Sequence, residues 1–221
     1  MKTIAILFAA LFAMLPGLVS AGVYEDMLIA LRSDDTGAVV ELLNRGVDVN
    51  TVDIAGNTLL MLAVRENNEV LLEQLIQRRA RLNVRNRDGD TALRMAAFGG
   101  RLPLVKRLVE AGAEVNMYGW SPLSYAAFNG HAAIAEYLLS RGAEINAKTE
   151  NGSTALLIGS RNGHIEVVNV LLKQQADPNI ATENDETALD WAEKTNNTDI
   201  AKRLRDAGGR SGKTVTIEIS K

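Results

Sequence analysis

Two histidines and one lysine are the residues whose type and setting invite a chemical reading of this chain of 221 residues. A catalytic histidine needs a nucleophile, a carboxylate or a metal brought within hydrogen-bond reach. His131 and His164 instead stand in matching phrases, Asn129-Gly130-His131 and Asn162-Gly163-His164, so they read as a repeated structural device that starts a helix. The lysine is Lys213, in Ala207-Gly-Gly-Arg-Ser-Gly212-Lys213-Thr214, a loose form of the loop whose backbone N–H groups and lysine cradle phosphates. Such a loop follows a strand and opens a helix. Here a helical pattern precedes it, the alternating Val215-Thr-Ile217-Glu-Ile219 follows, and only seven residues remain after Thr214 to supply a magnesium-binding carboxylate. Gly208 to Gly212 reads better as a linker to a tail. No cysteine occurs, which excludes disulfides and thiolate zinc sites. The expectation is therefore no catalytic residue, no metal and no cofactor.

The elements that must position these residues repeat. In Asn151 to Ile180, Thr154 is placed to cap a helix beginning at Ala155, with Leu156 inward and Gly159-Ser160 small enough for close helix approach. Asn162-Gly163 breaks that helix, and His164 opens a second whose Ile165, Val168, Leu171 and Leu172 line one face. The same phrase recurs. Asn50, Asn83, Asn116, Asn146 and Asn179 are separated by 33, 33, 30 and 33 residues. Four positions earlier stand Gly46, Arg79, Gly112, Gly142 and Gln175, followed by Gly208. Five units begin with a hydroxyl and a helix: Thr58-Leu59-Leu60, Thr91-Ala92-Leu93, Ser121-Pro122-Leu123, Thr154-Ala155-Leu156 and Thr187-Ala188-Leu189.

This pattern resembles the ankyrin family over Tyr24 to Gly209, whose unit is a β-turn and two antiparallel helices at a 33-residue period. The resemblance implies an all-α solenoid of about six helix pairs joined by β-turn fingers, each pair sharing a core with its neighbours. Its parts are an amino-terminal cap over 22–52, internal repeats over 53–85, 86–117, 118–148 and 149–181, and a closing cap over 182–209, with a flexible or strand-like tail over 210–221. Three departures stand out. The signature histidine is replaced by Met61, Arg94, Ser124, Leu157 and Asp190, so the usual Thr–His bonding is missing and stability falls to the apolar core. Arg79 and Gln175 occupy a helix-ending position that favours glycine, at a cost of about 1 kcal/mol each. Three residues are missing from the turn holding Tyr118-Gly119-Trp120.

The first residues read as a signal peptide over 1–21: Lys2, the apolar run Ile4 to Leu15, Pro16-Gly17, and small residues Val19-Ser20-Ala21 before the cut. The run is shorter than the roughly 20 residues a membrane span needs. Without a following cysteine there is no lipid attachment. Removing Lys2 leaves 23 basic and 27 acidic residues, moving the net charge from −3 to −4, a balance that does not invite nucleic acid. The mature chain is expected to be periplasmic or secreted, without stable membrane insertion, and monomeric.

In ankyrin arrays the inner helices and turn tips line a concave groove, and the two residues before each Gly-His pair point into it. By that resemblance Phe98 and Phe128 fall at one groove position in adjacent units, with Tyr118 and Trp120 on the turn between them and Arg65, Arg161 and Lys194 flanking. Aromatic side chains anchor protein interfaces because they bury much area at low rotamer cost. Gln77-Arg78-Arg79-Ala80-Arg81 with Arg85 and Arg87 reads as a solvated edge, or as a patch that steers an acidic partner. The functional expectation is a non-catalytic module holding a protein partner, with support of an envelope enzyme, for example in peroxide defence, as what the resemblance implies. The alternative is an inhibitor that neutralises a periplasmic toxin.

Overall fold

The computed structural model describes residues 21–33 and 35–212. Apart from Ala21, the expected leader lies outside the described residues, as do Lys213 and Thr214 of the phosphate-loop motif and the strand-like Val215 to Ile219. The described chain is all-α. The described residues fall into two compact units, one ending at Val49 and the other beginning at Asn50. In the first, α1 (Ala21–Arg32) and α2 (Thr36–Asn44) form a pair, with Met27, Ala30, Leu31, Val39, Leu42 and Leu43 buried. The Asp35 side chain caps α2 by accepting from the Ala38 N–H.

The second unit holds five pairs. Their first helices are α3 (Leu59–Arg65), α5 (Ala92–Phe98), α7 (Pro122–Phe128), α9 (Ala155–Arg161) and α11 (Ala188–Lys194). Their second helices are α4 (Glu69–Gln77), α6 (Leu102–Glu110), α8 (Ala132–Ser140), α10 (Ile165–Lys173) and α12 (Thr198–Asp206). First helices stack on first helices and second on second, so each pair closes the apolar face of its neighbour. The hydroxyls of Thr58, Thr91, Ser121, Thr154 and Thr187 each cap the first helix that follows, accepting the N–H three residues on. Seven-residue helices leave no room for weak ends, and the caps define where each begins.

The recurring asparagine is explained by what it reaches. The Oδ1 atoms of Asn50, Asn83, Asn116, Asn146 and Asn179 accept the backbone N–H of Arg81, Glu114, Glu144, Asp177 and Arg210, at 2.8, 3.0, 2.8, 3.1 and 2.9 Å. Each bond crosses to the following repeat. The last rung uses Arg210, and the chain expected as a linker is bonded as far as Gly212: Thr187 donates to the Arg210 carbonyl, and Asp190 accepts the Ser211 hydroxyl and the Gly212 N–H.

Two helix-level expectations change. In α10 the buried residues are Val167, Val168 and Leu171, while Ile165 and Leu172 are half-buried. The 3.6-residue period turns the inward stripe toward Val167, which packs against Gly159 of α9: a methyl on that glycine would lie 3.4 Å from Val167 Cγ1. His131 and His164 occupy the N-cap positions of α8 and α10 but make no side-chain cap bond. Their rings turn back, Nε2 bonding the Phe98 carbonyl at 3.1 Å and the Phe128 carbonyl at 2.9 Å. Asn129 and Asn162 donate to the same two carbonyls. The histidines therefore tie the end of one first helix to the next repeat. Arg79 and Gln175 do adopt left-handed backbone, with φ of 61° and 65°.

Candidate partner-binding face

The site grows out of the shortened turn. In full-length fingers the first residue folds the turn onto itself: Asp53 Oδ1 accepts from Ala55 and Asn57, and Asn86 Oδ1 from Asp88 and Asp90. The finger before Ser121 has lost the residues for that arrangement. In its place Arg94, at the signature-histidine position of α5, sends one nitrogen to the Gly89 carbonyl and another to the Tyr118 carbonyl, both at 2.8 Å. One guanidinium thus bridges two fingers. Its burial pushes its pKa down, and Arg85 nearby pushes the same way. Tyr125 of α7 completes the junction by donating its hydroxyl to Asp90 at 3.1 Å. Burial first, then the Asp90 carboxylate, raise the Tyr125 pKa to about 12, which keeps the proton where that bond needs it.

The other signature-histidine replacements differ among themselves. The Ser124 hydroxyl bonds that of Ser121 at 3.1 Å, and Asp190 forms a capping box with Thr187. The expected loss of polar bonding at the helix starts therefore holds for the buried Met61 and Leu157, and is made good by other chemistry at the remaining three.

Four rings gather beside the junction. Phe98 stacks on Phe128 with centroids 6.4 Å apart and meets Tyr125 edge-on at 5.7 Å. Trp120 lies 5.3 Å from Tyr125 and 5.7 Å from Phe128. Phe98 and Phe128 remain 48% and 40% exposed, a large apolar area left facing solvent. Tyr118, at 82% exposed, stands outside these ring contacts and contributes its carbonyl to Arg94. Tyr125, not singled out from the sequence, completes the cluster. The signal was present in its spacing: it lies four residues after the Ser121 cap, on the same helix as Phe128.

The flanking cations divide. Arg65, paired with its neighbour Glu66 at 2.9 Å, lines a pocket of about 490 Å³ together with Asp90, Arg94, Phe98, Arg101 and Tyr125. Arg161 and Lys194 gather instead on a different aromatic side chain, Trp191, at 4.5 and 4.3 Å from its ring centre. Lys194 also pairs with Glu186 at 3.6 Å. Sequence position placed all three cations on equivalent groove positions, yet only Arg65 shares the pocket beside Phe98.

Among the described residues, no group of three or more histidines and carboxylates is arranged to hold a metal ion, and no helix is long and apolar enough to cross a membrane. No curated protein matches the chain. A family model described as ankyrin repeats, in three copies, matches residues 27–118, 60–149 and 142–214. Such repeats are protein–protein interaction modules, typically without catalysis. With a bonded asparagine at every repeat junction and a hydroxyl cap on five successive first helices, the chain belongs to the ankyrin-repeat family.

Proposed function

We propose that this protein is an exported binding module that holds a partner protein of the cell envelope against the face formed by Phe98, Trp120, Tyr125 and Phe128. The observation that carries the reading is the pair Phe98 and Phe128, stacked on each other and each left 40% or more exposed. Half-exposed aromatics on a rigid backbone bind at low entropic cost, and a cluster of them is the usual centre of a protein interface. Export is supported by the leader-like sequence of residues 1–21, and a periplasmic partner, such as an enzyme that the module supports, follows from it.

The test places a photo-cross-linking amino acid at position 98 or 128 in growing cells, with the exposed Lys173 at the end of α10 as control. Adducts of one defined protein at 98 and 128, and none at 173, are expected. Equal adducts at 173, or none at the aromatic positions, would overturn the reading. The identity of the captured protein separates an envelope enzyme from a toxin held in an inactive state.

A further inference from the structure

The pocket beside Phe98 is positively charged in a chain whose formal net charge is −3. Three arginines line it, Arg65, Arg94 and Arg101, against one carboxylate, Asp90. Arg94 is only 6% exposed. A guanidinium carries five N–H groups, and the acceptors this one has are the carbonyls of Gly89 and Tyr118, both neutral. Its Nε–H is buried without an acceptor. Asp90 is occupied by the Tyr125 hydroxyl. Among the described residues Arg94 and Arg101 form no ion pair, while Arg65 is paired with the exposed Glu66 and feels the Asp53 carboxylate. Arg85 lies close enough to add to the same field; Asp90 and Glu150 offset part of it, and burial together with Arg85 outweighs them. A buried cation held by neutral acceptors is under-compensated, and a carboxylate is the group whose geometry matches a guanidinium fork.

We infer that this pocket receives an aspartate or glutamate side chain of the partner protein, presented beside an apolar side chain that rests on Phe98 and Phe128. This rests on the reading of the aromatic face as a binding surface. Phe98 lines the pocket and also stacks on Phe128, so pocket and ledge are contiguous. An acidic residue close in sequence to an aromatic or aliphatic one satisfies pocket and ledge together. The charge adds attraction at a distance and makes the contact sensitive to salt.

The test pans a random peptide-display library against the full chain. Enriched peptides are expected to carry Asp or Glu close in sequence to an aromatic or aliphatic side chain, and to lose roughly tenfold in affinity when the acid becomes its amide. The Arg65→Ala/Arg101→Ala variant, altered only at exposed positions, is expected to show the same loss with an unchanged melting curve, and the Lys pair at these positions a smaller one. Enrichment of neutral or basic peptides, or binding indifferent to the arginine pair, would overturn the acidic-partner inference and leave the aromatic face standing. If no peptide is enriched over a Phe98→Ala/Phe128→Ala control, both fall.

Discussion

An asparagine four residues beyond each helix-ending position is a small side chain with a long reach. Its carbonyl oxygen takes a backbone N–H from the next repeat, and five copies of that bond hold the register of the stack. Its recurrence in sequence marked the repeat; the reason for it lay in a partner about 31 residues away, beyond what local pattern shows. The same scale holds the chain's strained backbone. Gln175 sits at φ 65° and is exposed, so its side chain brings the penalty of left-handed backbone with no bond to offset it. Gln175→Gly is expected to raise stability by about 0.5–1 kcal/mol, read as a shift in the urea midpoint at unchanged slope. A lower midpoint would show that the residue is held there by something other than backbone geometry. The resemblance pointed to Phe98 and Phe128; the spacing of Tyr125 on the helix of Phe128 hinted at its place among the rings, but not at its bond to Asp90, which the preceding finger supplies.

At the level of elements, the shortened turn is the clearest case of a sequence feature whose consequence only three dimensions decide. The missing residues were visible by counting. That Arg94 would fill the gap, bonding the carbonyls of Gly89 and Tyr118, depends on two fingers lying side by side. The last first-helix, α11, shows the same economy. Burial alone would raise the Asp190 pKa, but the Ser211 hydroxyl, the Thr187 and Gly212 N–H groups and the Thr187 hydroxyl outweigh it, and the pKa is lowered. A carboxyl stabilised in its charged form contributes stability above its ordinary value of 3.8 and loses it as pH falls through the lower folded value. Asp190→Ala is expected to cost about 1–2 kcal/mol at neutral pH through loss of the capping box. Amide exchange in α11 and at Arg210 should quicken in the variant, and its deficit against the parent should shrink as pH falls from 3.8 through the lower folded value. A deficit independent of pH would mean that packing, not the carboxylate, carries the effect.

Across the larger unit, stability is shared between neighbours, since no helix pair covers its own apolar face. Leu138 of α8 is fully buried in the middle of the stack. Leu138→Ala is expected to destabilise by about 2–5 kcal/mol, and hydrogen exchange should accelerate in α6 and α10 as well as in α8. Loss confined to α8 would show that the repeats unfold separately. By itself the sequence determined the helical class, the repeat period and the capping hydroxyls, because those follow from local periodicity and hydrogen-bonding habit repeated along the chain; the surface position of Phe98 and Phe128 was implied only by the family resemblance. The tertiary structure decided the rest. It turned His131 and His164 into ties between repeats, sent Arg161 and Lys194 to Trp191, and brought Arg65, Arg94 and Arg101 to one pocket beside the aromatic face. Those outcomes depend on which side chains of different repeats come within a few ångströms of each other, and that distance is fixed only when the repeats stack.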